Sequence, residues 1–587
     1  MNSSTLYPLK NMSDLIVSYL KQIKSEFVFG IPGGHITALY ESLEKSEKDG
    51  GPKAILTRHE SGAAFMAAGY AKETGKIGVC CATAGPGTTN IITGVASAYA
   101  DHVPMLVITG QTALPTGGMG GLQESMPHQG HFPDIVDTVG MLGHCTRYNT
   151  LITHPHQLER KLAAALITSM QHPQGPVHIS LPVDILNAPA PESSKYPDLS
   201  RLLESSSFVD STALEKLKGI ISETMAQGRK IALFIGHECA GAADEIIKFA
   251  ETTESPMVTS LRGKSIIRPY HPLYHGVFGA FGHQSARRAL EDKSVALILA
   301  VGVSLGQWGS SGWSKLLLNP KMVHIHTASV YFARSPMARL HLYGVAKTVF
   351  TKLNRWLAAI KPDKKFPLNS PGQADGGRRL SGNAPPGIEL EQPNAYKDDS
   401  SPIKPQRLIY ELARNLPDRT RFIIDTGNIL AWTIHYLFNA RPEHYRLLSI
   451  GQPCTGWAIG GAIGTAISTA PGVPVVCMTG DGSFLMYGQE ITVAVERRLP
   501  VIFVILNDQS YGMIKHRSRQ TATKPLEFAI PLTDFSLMAK AVGADGYIIQ
   551  DCDDFKKLDY EKMRHGSRPT VLDVRIDPEE PPPLRMV

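Results

Sequence analysis

The 587 residues contain no apolar run of the roughly 18 residues that a membrane span needs, so no membrane partner is expected. The opening stretch, Met1 to Lys24, is polar and then amphipathic, without the apolar segment of a signal peptide. Paired cysteines are missing too. The seven present, at positions 80, 81, 145, 239, 454, 477 and 552, are odd in number and include no C-x-x-C spacing. Isolated thiols suit a reducing compartment and argue against a disulfide framework or a zinc site. Charge is modest, with 19% of residues charged, a formal net charge of +6 and the basic residues dispersed. That excludes an obvious nucleic-acid groove. A soluble cytoplasmic protein is the expectation.

What is there is more informative. A single hydrophobic core stops growing at about 250–300 residues, so this length implies several domains. Three blocks each alternate short apolar runs with helical stretches. The first, 1–191, has runs at Phe27 to Phe29, Ile77 to Cys81, Met105 to Thr109 and Val177 to Leu181, with a small-residue helix over Ala63 to Glu73. The second, 205–355, has Ile231 to Ile235, Met257 to Leu261, Val295 to Val301 and Val323 to His326. Residues 361–404 are rich in Pro, Gly, Ser and charge and read as a linker. The third block, 405–580, has Phe422 to Ile424, Val475 to Met478, Val501 to Leu506 and Thr570 to Val574. Strands alternating with helices predict an α/β fold of three doubly wound parallel-sheet domains.

The strand Val475 to Met478 runs into Gly480-Asp481-Gly482-Ser483, and the strand Val501 to Leu506 runs into Asn507-Asp508-Gln509-Ser510-Tyr511. Ligands bind at the carboxyl edge of such sheets. Glycines let the backbone approach a phosphate, a following helix offers N–H groups to an anion, and Asp481 offers a hard oxygen ligand. Adjacent strand ends would bring Asp481 and Asp508 together, matching the one or two carboxylates with which Mg²⁺ is usually held.

Gly-Asp-Gly followed by Asn-Asp at this spacing resembles the thiamine-diphosphate enzymes of the acetolactate synthase, pyruvate oxidase and benzaldehyde lyase type. The resemblance is strengthened by Phe29-Gly30-Ile31-Pro32-Gly33-Gly34, by His59-Glu60 and by Ala84-Gly85-Pro86-Gly87-Thr88-Thr89-Asn90, and runs from Phe27 to about Val574 except for the linker. It implies pyrimidine-binding, central and diphosphate-binding domains, with thiamine diphosphate and Mg²⁺ as cofactors. The metal would be held by the side chains of Asp481 and Asp508 and the backbone carbonyl of Ser510. Glu60 would be the carboxyl group that activates the aminopyrimidine; on position alone a helix-dipole partner would be the preferred reading, and the surrounding motifs reverse it. Cofactor contacts are implied for Gly33, Gly34, Asn90, Gly427, Asn428, Thr455, Gly456, Gly480, Gly482, Ser483, Tyr511, Gly512 and Met513. Because the family builds one site from two subunits, a homodimer is the minimum and a homotetramer common.

On the substrate side, Leu122-Gln123-Glu124 matches a Phe-Gln-Glu of acetolactate synthases, which makes Gln123 a substrate hydrogen-bonder or, alternatively, a solvated loop residue. His35 lies where benzaldehyde lyase carries a histidine; it is a proton-exchange candidate or a backbone cap. His128 and His131 could form a weak metal pair or a solvated loop, and nothing specific supports His102. Several family residues are absent. Val183 replaces a lysine, Gly302 to Trp308 lacks an arginine, and His326-Thr327-Ala328 lacks acidic residues, so FAD is doubtful. Thr455 replaces a larger wedge under the cofactor, stiff at χ1 but less apolar. Arg517 stands where relatives carry tryptophan or glutamine and could pair with a substrate carboxylate, or be a solvated charge. Gln123 and the overall resemblance imply a carboligase that decarboxylates a pyruvate-like 2-oxo acid and joins the fragment to a second carbonyl, while the absent lysine and arginine point away from it. The alternatives are a lyase, decarboxylase or hydrolase using the same cofactor, or an inactive binding subunit.

Overall fold

The computed structural model describes residues 9–126, 134–190, 198–203, 207–360, 385–438, 445–447 and 451–583. They form three six-stranded sheets, all parallel. The first contains β1 (Phe27–Gly30), β2 (Lys53–Leu56), β3 (Gly78–Ala82), β4 (Met105–Gln111), β5 (Asn149–Leu151) and β6 (Pro176–Pro182), in the order β2-β1-β3-β4-β6-β5. The second contains β7 (Lys230–Ile235), β8 (Met257–Thr259), β9 (Tyr274–Val277), β10 (Val295–Val301), β11 (Met322–His326) and β12 (Leu340–Tyr343), in the order β12-β11-β10-β7-β8-β9. The third contains β13 (Arg421–Ile424), β14 (Tyr445–Leu447), β15 (Val475–Gly480), β16 (Val501–Asn507), β17 (Asp545–Ile549) and β18 (Thr570–Arg575). Its order, β14-β13-β15-β16-β18-β17, repeats that of the first sheet.

Strands covered by helices on both faces must be apolar along their whole length. β4 and β16 are buried at every residue, which is why Met105 to Ile108 and Val501 to Leu506 read as unbroken apolar runs, with buried polar residues only at the carboxyl ends. Strand order reverses between β1 and β3, β7 and β10, and β13 and β15, and each reversal opens a crevice at the carboxyl edge. Among the described residues no helix is long and apolar enough to cross a membrane. All seven cysteines are free and buried.

The first and third sheets share one hydrophobic core through the helices Glu60–Thr74 and Trp457–Ala466. Both are rich in small residues, so their backbones nearly touch. A Cβ on Gly464 would lie 1.9 Å from the Met66 carbonyl oxygen, and one on Gly69 2.1 Å from that of Gly461. Backbone on both sides cannot yield as a flexible side chain would. Gly464→Ala gains about 1 kcal/mol of helix propensity but overpacks the seam by about 1–3 kcal/mol. The expected result is a lower thermal unfolding midpoint by calorimetry; an unchanged or raised midpoint would refute the packing argument.

The stretch read as a linker differs from expectation over its described half. Ile388, Tyr396 and Ile403 are buried, the Tyr396 hydroxyl donates to the Tyr436 carbonyl at 2.5 Å, and the Glu391 amide donates to His435 Nε2 at 3.0 Å. Its few large apolar residues are spent on a strap that joins the second and third domains. Residues 361–384 lie outside the described residues.

Candidate active site

β15 pairs with β16 so that Gly480 lies opposite Leu506, and the two strand ends present Asp481 and Asn507-Asp508 side by side. Asp481 opens the short helix Asp481–Tyr487. Its Oδ1 accepts from the Gly482 amide at 2.7 Å and its Oδ2 from the Gln509 amide at 2.8 Å. The Ser510 amide donates to Asp508 Oδ1 at 3.3 Å. Burial pushes the Asp481 carboxyl up to about 7, with repulsion from Asp508 adding to it, and burial pushes Asp508 up to about 6. Two buried carboxyl groups that resist ionisation are what a divalent cation relieves. Among the described residues no group of three or more His, Cys, Asp or Glu is gathered to hold a metal. Further oxygens would have to come from backbone, water or a phosphate, the ordinary condition of a Mg²⁺ site.

The surroundings fit a diphosphate. Both amide atoms of Asn428 and the Ser510 hydroxyl are buried without a protein partner, a state that is rare unless a ligand or water completes it. Gly427, at φ +128°, and Gly480 have open space where a Cβ would stand. A Cβ on Gly512 would meet Asp508 Oδ2 at 2.3 Å and Asn428 Nδ2 at 3.0 Å, and one on Gly482 would meet the Tyr511 ring at 2.8 Å. Glycine is therefore required at both places for the loop to close. Ser483 is buried, Met513 half-buried, Tyr511 exposed at its edge.

Asp425, at the end of β13, organises the neighbouring turn. Its carboxylate accepts from the Gly456 amide at 3.1 Å, from Thr426 N at 2.9 Å and from Thr479 Oγ1 at 2.6 Å, and burial pushes it up to about 6. Gly456, at φ +86°, starts the helix Trp457–Ala466, with Thr455 half-buried beside it. The helix Asn428–Tyr436 is held at its far end by the second domain, where buried Lys264 donates to the Thr433 and Ile434 carbonyls at 2.6 and 2.5 Å.

On the first sheet, Glu60 is the first residue of its helix, after His59, whose Nδ1 accepts from the Ser61 amide at 3.0 Å. Asn90 Nδ2 donates to Glu60 Oε2 at 3.0 Å, and a Cβ on Gly87 would lie 3.4 Å from Oε1. Asn90, expected as a cofactor contact, thus engages the carboxylate. Gly33 presses on the Thr83 side chain, where a Cβ would sit 2.6 Å away, while Gly34 faces open space. The His35 Nδ1 atom is buried without a partner, and burial lowers the ring's pKa; this nitrogen caps no backbone group. Gln123 takes φ +59°, with Leu122 82% exposed beside it. Among the described residues no hydrogen bond or ion pair joins the Glu60 cluster to Asp481 or Asp508.

His102 Nε2 lies 2.6 Å from the Tyr331 hydroxyl, a packed structural contact. His128 and His131 lie outside the described residues. Arg517 is exposed on the helix Gly512–Thr521. Sequence reasoning missed Glu490, which is buried, accepts from the Arg58 amide at 3.2 Å and is pushed up to about 7 chiefly by burial. It also missed the anchoring roles of Asp425, Gln111 and Glu124, because a motif shows which residues stand in a loop and not which backbone amides their side chains reach.

The second sheet has the strand order of a dinucleotide-binding domain, with its crevice between β7 and β10. There a Cβ on Gly236 would lie 1.9 Å from the Gly302 carbonyl oxygen. Glu238 Oε2 accepts from Thr327 Oγ1 at 2.7 Å and lies 3.5 Å from His326 Nδ1. A carboxylate thus bridges the crevice where an anionic pyrophosphate would need N–H groups.

Comparison with known proteins agrees with this geometry. The N-terminal thiamine pyrophosphate-binding domain model of the thiamine pyrophosphate enzymes matches residues 10–132, their central-domain model 221–353 and their C-terminal thiamine pyrophosphate-binding domain model 425–574. The chain is 28% identical to the acetolactate synthase isozyme 2 large subunit of Escherichia coli (strain K12), over 97% of this chain and 96% of that one. It is 28% identical to the acetolactate synthase of Arthrospira platensis, over 96% and 94%. An X-ray structure from Mycobacterium smegmatis, described as a thiamin diphosphate-dependent enzyme, superposes with a TM-score of 0.76 at 20% identity, over 97% of this chain and 99% of that one, and shares the fold. The chain belongs to the thiamine pyrophosphate enzymes and carries that family's three domains in order.

Proposed function

We propose that the protein is a thiamine-diphosphate- and Mg²⁺-dependent carboligase that decarboxylates a pyruvate-like 2-oxo acid and joins the remaining fragment to a second carbonyl compound. The carrying observation is the similarity to acetolactate synthases along the full length, with Gln123 kept on the substrate side. When bound, thiamine diphosphate supplies the electron sink for breaking or forming a carbon–carbon bond beside a carbonyl. Asp481, Asp508 and the Ser510 carbonyl hold the metal. Gly427, Asn428, Gly456, Gly480, Gly482, Ser483, Gly512 and Met513 would cradle the diphosphate, with Tyr511 at its edge and Thr455 under the cofactor. Gly33 and Gly34 admit the pyrimidine. Asn90 occupies Oε2 of Glu60, which leaves Oε1 to share a proton with a pyrimidine nitrogen. Gln123 and His35 face the reacting carbons, with Leu122 over them.

Large apolar side chains stand exposed near both half-sites: Met119 and Leu122 on the first domain, Leu485, Met486, Tyr511 and Ile514 on the third. This supports a homodimer at minimum, and a homotetramer as its dimer, with each site shared between copies. The buried free thiols support a cytoplasmic setting. We assign 1–191, 205–355 and 405–580 as the pyrimidine, central and diphosphate domains. The carboxylate of Glu238 at the crevice counts against FAD, in keeping with the doubt raised by the sequence; a visible-absorbance titration with FAD is expected to show no binding.

A second reading, a lyase or decarboxylase on another 2-oxo or 2-hydroxycarbonyl compound, is favoured by Val183, by the arginine-free stretch Gly302 to Trp308, where Ser304 takes the arginine's place, and by the unpartnered His35 Nδ1. A panel of 2-oxo acids and aldehydes with the two cofactors, read by mass spectrometry, separates them. A ligated product is expected, and free aldehyde alone would favour the second reading. Arg517→Ala is expected to raise KM about tenfold for an anionic partner and to leave a neutral aldehyde unaffected. Unchanged KM for every anionic partner would remove Arg517 from the pocket.

A further inference from the structure

Gln123 is the strained residue of a segment anchored on both sides. Its φ of +59° is left-handed, a region that a residue with a Cβ seldom occupies. The loops are so close that a Cβ on Gly85 would lie 2.9 Å from Gln123 Cβ. On its C-terminal side, Glu124 is 6% exposed, and its carboxylate accepts from the backbone amides of Gly118, Gly120 and Gly121, the last two at 3.1 Å. Gly118 and Gly120 have φ +80° and +74°, which turns their N–H groups inward. The turn thus wraps a carboxylate as other backbone nests wrap a bound anion. Next to it, Ser125 donates to Gln111 Oε1 from both its amide and its hydroxyl at 3.2 Å, and the Thr112 amide donates to the same oxygen at 3.0 Å. Backbone amides only donate, so chemistry settles which end of the Gln111 amide faces them. Gln111 is fully buried at the end of β4.

We infer that Glu124 and Gln111 are positioning residues that hold Gln123 toward the reacting carbons. Glu124 serves as the internal anion of the glycine turn 117–121, and Gln111 locks the following serine. A buried carboxylate is costly unless charge-assisted donors surround it, and a left-handed glutamine persists only where its neighbours over-determine it. A loop serving only to connect two elements would relax with glycine at 123 and a small neutral residue at 124. The inference rests on the substrate-side role of Gln123.

The test uses the holoenzyme and the variants E124A, E124Q, Q123A and Q123A/E124A. In E124A the amides of Gly118, Gly120 and Gly121 are expected to exchange hydrogen at least about tenfold faster. Its kcat/KM for the ligated product is expected to fall about 10- to 100-fold, while thiamine diphosphate affinity stays within about twofold. E124Q, which keeps one acceptor oxygen, falls between. Because Glu124 acts through Gln123, Q123A/E124A is expected to be no slower than Q123A. Multiplying single effects in the double variant, or unchanged exchange in E124A, overturns the proposal. Wild-type turnover and product partition in Q123A overturns it through the substrate-side reading instead, and the exchange measurement tells the two failures apart.

Discussion

Glu60→Gln is expected to lower kcat by about 10²–10⁴-fold, the usual contribution of a positioned acid–base group, while thiamine diphosphate and Mg²⁺ still bind. The substitution keeps the shape at the head of the helix Glu60–Thr74 and lets Asn90 Nδ2 go on donating to the remaining oxygen. What disappears is an exchangeable carboxyl proton at the position of Oε1, beside Gly87. Steady-state turnover together with calorimetric titration of the cofactor checks it. Loss of cofactor binding in step with activity would mean that Glu60 serves to hold the pyrimidine and nothing more. Asn90→Ala should show a weaker form of the same effect, since it leaves the carboxyl group but frees its orientation.

Asp481→Asn is expected to act in opposite directions on the two forms of the protein. Without ligands, Asp481 and Asp508 are buried with raised pKa values of about 7 and about 6, so removing one acid relieves the site and raises the unfolding midpoint. With Mg²⁺ and thiamine diphosphate, the variant loses the stabilisation that ligands confer, about 2.7 kcal/mol at a hundred times Kd. The sign of the pH dependence follows from the same pair. Both folded values exceed the unfolded carboxylate value of about 3.9, so the folded state binds more protons across the window between. The ligand-free stability these groups contribute is present below about pH 4 and is lost as pH rises through about 6 to 7. Metal binding requires the ionised forms, so the midpoint shift produced by the cofactors should be small at pH 5 and full at pH 8. An equal shift at both pH values would remove these carboxylates from the metal site.

Much of this was legible in the residues. Interior strands such as β4, β10, β15 and β16 carry long apolar runs because parallel strands are buried on both faces. The carboxyl ends of β15 and β16 then locate Asp481 and Asp508 without any knowledge of packing. Asn149–Leu151, Tyr274–Val277, Leu340–Tyr343, Tyr445–Leu447 and Asp545–Ile549 escaped notice. Each belongs to a strand at an edge of its sheet, where one side lacks a neighbour and the apolar demand relaxes. The described half of the supposed linker escaped for a related reason. Its four widely spaced apolar residues, Ile388, Leu390, Tyr396 and Ile403, make no periodic pattern, yet all four pack against the cores of the second and third domains.

The chain by itself therefore determined the α/β class, the family resemblance and the residues at two strand edges, because those signals lie in local runs and fixed spacings. Tertiary structure alone decided which groups support them. Asn90 on Glu60, Asp425 on Gly456 and Glu238 across the central crevice are contacts between separate loops. Their strength depends on distance, burial and donor direction, and none of these exists until the sheets have brought the loops together.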